Sequence, residues 1–208
     1  TQYRVRLLRR NWHPPQLRTN AGSRHHHVLR PHVGSVTSPP GGLRTLFLCE
    51  GNAETHDSWS GVSRSVVRHL RAAGHTVQVC DADLYGVRRL GVALRTVAWP
   101  RRRWWVRHHL HAAAFSARSE MCARALRTAG PGFDVLLQVG ATFEPPASCE
   151  LPLVLYCDSN AELSRLGAAS GHSEGASLTA SELADVRDRE ERVYRRATII
   201  FTPPAPPP

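Results

Sequence analysis

The stretch from Arg44 to Cys80 constrains this chain most. Arg44-Thr-Leu-Phe-Leu-Cys-Glu50 is a short apolar run of strand length, and the loop Gly51-Asn-Ala-Glu-Thr-His-Asp-Ser-Trp-Ser60 follows it. Gly61-Val62 opens a segment in which Val62, Val66, Leu70 and Ala73 recur at helical spacing, and Gly74-His75 stops it. Thr76-Val-Gln-Val-Cys80 is strand again. The pattern predicts the first β-α-β unit of a parallel α/β domain. Such a unit presents a helix N-terminus at the carboxyl edge of the sheet, where phosphorylated ligands usually sit.

The later segments extend the pattern. Val87 to Ala98 predicts a short helix, and Pro100 interrupts the chain. A long helix is expected from about Trp104, with Val106, Leu110, Ala114, Ala117, Met121 and Ala125 as its buried stripe and Gly130-Pro131-Gly132 as its end. Asp134–Val139 and Leu151–Cys157 read as strands, the second running into Asp158-Ser159-Asn160. After a hydrophilic segment, Thr179-Ala-Ser-Glu182 is a capping box. It opens a helix with Leu183, Val186, Val193 and Tyr194 on one face, and Ala197–Thr202 is the last strand. The order β-α-β-α-α-β-β-α-β, with apolar rather than alternating strands, predicts a buried, mostly parallel sheet over residues 44–202. Residues 1–43 lack sustained periodicity and are expected to be a disordered basic extension. The Pro-rich tail 203–208 fits neither helix interior nor strand.

Charge has to be located before it means anything. Residues 1–49 hold eight Arg and no acid, so +8 of the net +10 lies there and +2 on the remainder. Only the arm has the electrostatics of a nucleic-acid or anionic-membrane contact. All 27 basic residues are Arg, a bias that a GC-rich coding sequence produces without selection for a partner, so nucleic acid is a weak expectation. Cys49, Cys80, Cys122, Cys149 and Cys157 show no C-x-x-C or zinc-ligand spacing and read as small buried thiols. Reduced thiols suit a cytoplasmic protein. No apolar run approaches the ~20 residues that span a bilayer. The adjacent His25, His26 and His27 make no preorganised metal site, and no metal is expected.

Three places carry chemistry. Loop 51–60 with Gly61 has the mechanics of a phosphate or sugar site, since Ser60 can cap the helix and Gly61 allows close backbone approach. It is neither G-x-G-x-x-G nor a P-loop, which disfavours dinucleotide binding and ATP hydrolysis. An ordinary helix cap under a surface loop explains it equally well. Glu50, Glu54, His56 and Asp57 crowd that loop as polar contacts for a hydroxylated ligand. Asp158, just beyond an apolar strand and followed by Asn160, shares the sheet edge if the strands are parallel. Its carboxylate could accept a proton or bind a sugar hydroxyl, and an Asx turn or helix cap is the plainer explanation. Finally, Trp99-Pro-Arg-Arg-Arg-Trp-Trp-Val-Arg-His-His-Leu-His111 interleaves Arg with Trp. It reads as a helix start whose Trp side chains pack on the sheet, with RNA or an anionic membrane surface as the alternative.

In their order, Thr45–Glu50, Ser60–Val77, Phe133–Gln138, Leu151–Asp158 and Glu190–Thr202 resemble the N-terminal half of a retaining GT-B glycosyltransferase of the family 4 type. The resemblance covers about three quarters of the chain. It implies a Rossmann-like acceptor-side domain with helices on both sheet faces, which faces a second domain that holds the nucleotide sugar. It places Ser60-Gly61 at the turn near the donor diphosphate, with Ser in place of the family's first Gly. It makes Asp158 the candidate for the family's polar contact to the sugar, with His56 and Asn160 as further substrate contacts. It implies a nucleotide-sugar donor, an unidentified acceptor, no cofactor and no metal; the reduced thiols and the Trp-Arg run add the expectation of a cytoplasmic protein, peripheral at the inner membrane face if that run meets lipid. Where the family continues into a linker and a donor domain with paired Glu, this chain reads Pro203-Pro204. The resemblance therefore implies a truncated enzyme, and the 208-residue chain alone is expected to lack significant sugar transfer. A non-catalytic fragment or binding module of the same fold is the alternative.

Overall fold

The computed structural model describes residues 41–54, 61–168 and 177–202. Residues 1–40 of the basic arm, loop residues 55–60, residues 169–176 and tail residues 203–208 lie outside the described residues. The elements are β1 (Arg44–Cys49), α1 (Val62–Ala72), β2 (Thr76–Asp81), α2 (Gly86–Arg95), α3 (Arg101–Leu110), α4 (Ala112–Ala129), β3 (Val135–Val139), β4 (Leu153–Tyr156), α5 (Ala161–Ala168), α6 (Ala180–Arg196) and β5 (Ile199–Phe201). The five strands form one sheet in the order β2-β1-β3-β4-β5, and every neighbouring pair is parallel. The fold is α/β and Rossmann-like, as the apolar strands predict.

Strand pleating explains the two layers. On β1, Leu46 and Leu48 point to one face and Phe47 and Cys49 to the other, because successive side chains alternate. Leu46 and Leu48 join Cys80, Leu136, Phe143 and Leu153 with Cys122 of α4. Phe47 and Cys49 join Val77 and Val139 with Val67 of α1. Helix α6 covers the far part of the first face, where Val193 packs with Phe115, Leu155 and Cys157. Burial of each such side chain contributes about 1.5–3 kcal/mol. The capping box forms as the sequence predicts: the Thr179 hydroxyl accepts from the Glu182 amide, and the Glu182 carboxylate accepts from the Thr179 amide.

Three expectations change. The long helix is two helices. At His111 the backbone is extended (φ −68°, ψ 151°), and its Nδ1 accepts the Ala113 amide at 3.1 Å, so this residue caps α4 instead of continuing α3. The fully buried residues of α4 are Ala114, Phe115, Arg118 and Cys122, while Ala117, Met121 and Ala125 of the expected stripe are half-buried and pack against the same core clusters. Helix α5 forms where only a hydrophilic segment was expected; its first turn is held by Asn160, whose side-chain oxygen accepts the Leu163 amide at 2.9 Å. The Trp residues of 99–111 do not pack on the sheet. Trp99 is 88% exposed, Trp105 is 56% exposed and stacks on His109, and the Trp104 indole donates to the Ala93 carbonyl at 3.1 Å.

The outer edge of β2 is guarded. The Thr76 amide donates to Leu43 on the β1 side, so the Val77 carbonyl points away from the sheet. Arg71 of α1 donates to that carbonyl at 2.9 Å and is ion-paired with Glu54.

Phe47→Ala is expected to cost about 3–5 kcal/mol in urea denaturation, since its ring is fully buried between β1 and α1. Leu94→Ala, on the solvent side of α2, is expected to change stability by less than about 0.5 kcal/mol in the same titration.

Candidate functional site

All five strands are parallel, so their carboxyl ends share one edge of the sheet. The chain moves outward from β1 to β2 and returns on the opposite side of β1 to β3. The point where the order reverses lies between the ends of β1 and β3, the position where open α/β sheets place their ligands.

That position is occupied by the protein's own polar side chains. Glu50 follows β1 and is 8% exposed. Thr142, in the loop after β3, donates its hydroxyl to Glu50 Oε1. Arg118 reaches in from α4, and its Nη2 lies 3.0 Å from Glu50 Oε2. The same guanidinium donates to the His109 carbonyl at 2.8 Å and approaches Asp83 at 3.8 Å. His109 Nδ1 lies 3.6 Å from Glu50 Oε2 and 3.1 Å from Arg118 Nη2. A carboxylate this deep requires an opposite charge, and Arg118, 3% exposed, supplies it. Gln138 on β3 shapes the loop that carries Thr142. Its Nε2 donates to the Gly140 carbonyl at 2.8 Å and to the Phe143 carbonyl at 2.9 Å.

Next to this cluster is a cavity of roughly 20 Å³, lined in part by His109, Phe115, Thr142, Arg189 and Glu190. It has room for about one water and none for a sugar. Glu190 accepts the Ala161 amide with both oxygens, at 3.1 and 2.9 Å, and so ties the start of α5 to α6. Burial pushes its carboxyl up to about 7, against the smaller lowering effects of the Ala161 hydrogen bond and the Arg189 charge.

The residues expected to bind substrate are unevenly placed. Gly61 takes the first-cap position of α1 in the left-handed region, φ 81°. The expected cap by Ser60, like Ser60 and His56 themselves, lies outside the described residues. Asp158 follows the end of β4 and is exposed, at the same sheet edge as Glu50. Asn160 is half-buried and spends its side-chain oxygen on the cap of α5, which leaves its amide hydrogens as donors. Glu54 is held by Arg71. Asp81, at the end of β2, accepts from the Gly51 amide at 2.9 Å, the Asp83 amide at 2.8 Å and the Tyr85 hydroxyl at 2.6 Å, and serves as a local staple. Sequence reasoning named Glu50 but missed Arg118, His109 and Thr142. The signal was an Arg lying beside the apolar stripe of α4.

Four of the five thiols are buried, and Cys149 is half-buried. Burial raises Cys49 and Cys122 to about 12, and Cys80 and Cys157 to about 11. Among the described residues no group of three His, Cys, Asp or Glu is arranged to hold a metal ion, and no helix is long and apolar enough to cross a membrane.

In comparison with known structures, the chain is similar to the glycosyltransferase SnogD from Streptomyces nogalater, with a TM-score of 0.39 and 16% sequence identity. The match covers 80% of this chain and 46% of that one, so the chain spans less than half the length of SnogD. No protein-family model and no curated protein matches the chain.

Removing one member of the buried pair is expected to cost more than removing both. Arg118→Met leaves Glu50 buried without its cation and is expected to lose about 3–5 kcal/mol in chemical denaturation; adding Glu50→Gln is expected to restore most of that. Glu190 sets a pH dependence of opposite sign to the usual carboxylate. Its folded value of about 7 exceeds the ordinary 4.5, so between these the folded state binds more protons than the unfolded. Its contribution is complete below about pH 4.5 and is lost as pH rises through about 7. Glu190→Gln is expected to remove that decline from a plot of melting temperature against pH.

Proposed function

We propose that this chain is the acceptor-side domain of a GT-B glycosyltransferase of the family 4 type. It would act with a facing donor domain to move a sugar from a nucleotide sugar to an acceptor. The observation that carries the reading is the convergence of Gly61 and Asp158 on one edge of an all-parallel sheet. It is supported by the ordered set of motifs from Thr45 to Thr202. Ser60 and Gly61 would bound the donor diphosphate at the start of α1, where the helix dipole favours negative charge. Asp158 would accept a proton from, or hold, a sugar hydroxyl. His56 and the amide hydrogens of Asn160 would complete the hydroxyl contacts. The diphosphate charge would be met by the helix end and by basic groups of the facing domain, with no metal ion. Catalysis in such a cleft comes from holding both substrates in register, so one wall alone transfers little. Free, mostly buried thiols fit a reducing cytoplasmic setting.

A second reading, a non-catalytic binding module of this fold, is favoured by the filled crevice between β1 and β3. Among the described residues, the Glu50–Arg118 pair and Thr142 occupy that position, beside a cavity with room for about one water.

The two readings separate in an amide NMR titration with UDP-glucose, GDP-mannose and dTDP-glucose. The glycosyltransferase reading expects shifts grouped at residues 61–63 and 158–160, lost in Gly61→Val. In the two-domain enzyme, Asp158→Ala is expected to lower kcat about a hundredfold or more. If no nucleotide sugar perturbs these amides and Asp158→Ala leaves transfer unchanged, the reading is wrong.

A further inference from the structure

Helix α2 is apolar on its outer side. At ~100° per residue, Val87, Leu90 and Leu94 fall together on one face, and Val92, the residue packed into the domain, falls on the opposite one. Val87 is 85% exposed, Leu90 59% and Leu94 68%. The chain continues through the exposed Val97 and Trp99 into α3, which adds Trp105. The two helices are stitched at this corner by the Trp104 indole on the Ala93 carbonyl and by Arg107 on the Val97 carbonyl at 3.4 Å. The α2–α3 segment therefore shows two Leu, two Val and two Trp to solvent, with Trp105 stacked on His109 at a ring-centroid distance of 6.0 Å. Monomeric soluble domains seldom expose so many large apolar side chains in one place.

The charge carried by this segment itself is of one sign. From Leu84 to Ser119 the sequence has eight Arg and no Asp or Glu. Arg103 and Arg107 turn inward to Glu182, Arg88 approaches Glu120, and Arg118 is buried on Glu50. Arg89, Arg95, Arg101 and Arg102 are exposed. Arg101 and Arg102 lie one helical turn before Trp105, and Arg89 and Arg95 flank the apolar face of α2.

We propose that the α2–α3 face docks on an anionic phospholipid surface. Val87, Leu90, Leu94 and Trp99 would enter the headgroup–acyl boundary, and Arg89, Arg95, Arg101 and Arg102 would meet the lipid phosphates. Apolar residues on one side of a helix with a cationic rim are what interfacial binding requires. Trp is suited to that depth, with an apolar ring and an N–H for the wet side. A second copy of this chain is a poor occupant, because a two-fold pairing sets the same arginines against each other. A nucleic acid is a poor occupant as well, because the aliphatic Val87, Leu90 and Leu94 offer bases neither a stacking plane nor a hydrogen bond. The proposal does not depend on the glycosyltransferase reading.

The test uses the full chain with vesicles of phosphatidylcholine, alone or mixed with phosphatidylglycerol. Binding in co-sedimentation is expected with the mixed vesicles only, weakening as salt rises. Trp emission is expected to shift to the blue on binding, and most of that shift is expected to vanish in a Trp99→Phe/Trp105→Phe variant. Leu90→Asn with Leu94→Asn is expected to weaken vesicle binding at least about tenfold. Should the Asn pair fail to fold by circular dichroism, the emission readout decides alone. No binding to mixed vesicles, equal binding to neutral ones, or an unchanged emission shift without Trp99 and Trp105 would overturn the proposal. So would unchanged vesicle affinity in a folded Asn pair, which would assign the binding to the arm at residues 1–43. A dimer in light scattering that the Asn pair dissolves, or an RNA that competes with vesicles, would also overturn it.

Discussion

Strand β1 is hydrogen-bonded along both edges and covered on both faces, and everything with a candidate role is placed relative to its carboxyl end. Glu50 lies one residue beyond that end. Its burial forces the α4 helix to supply Arg118, the loop after β3 to supply Thr142, and the end of α3 to bring His109 close. Three separate segments are thus drawn to one carboxylate. The sheet order would put a ligand crevice at this point, and the ion pair fills it. Gly61, at the start of α1, and Asp158, beyond the end of β4, stand outside this ion pair at the same edge of the sheet.

Much of the fold was legible because its strands are short, apolar and bounded by turn residues. Parallel strands buried on both faces leave that trace, and Thr45–Cys49 is a clear case. The capping box at Thr179 was legible because its chemistry is local. The break at His111 was not. A helical stripe persists through it, and only the extended backbone of one residue, fixed by a side-chain bond to Ala113, separates α3 from α4. Helix α5 was missed for a related reason. It is short, and it depends on Asn160 and on Glu190 from a distant helix.

The site was less legible than the fold. That Gly61 caps α1 could be read from its place between strand and helix, and that Asp158 stands at the sheet edge from its place after an apolar run. Arg118 could not, because a guanidinium on an apolar helix face reads as a solvated edge until its partner 68 positions earlier is known. The Trp-Arg run misled in the other direction. Aromatic residues beside a helix start suggest packing, whereas the α2–α3 corner leaves Trp99 and Trp105 in solvent because Val92 and Val106 already fill the inward positions.

The Arg71 contact on Val77 has a consequence for how the domain behaves at high concentration. A parallel sheet has two open margins, and a margin with free carbonyls can recruit a strand from another molecule. Here the β5 margin is only three residues long, too short to template much. The six-residue β2 margin is the one at risk, and a charged side chain already occupies one of its outward carbonyls. Glu54 is ion-paired with that side chain, so an acid drawn from the first loop stands at the margin where a strand from another molecule would have to add.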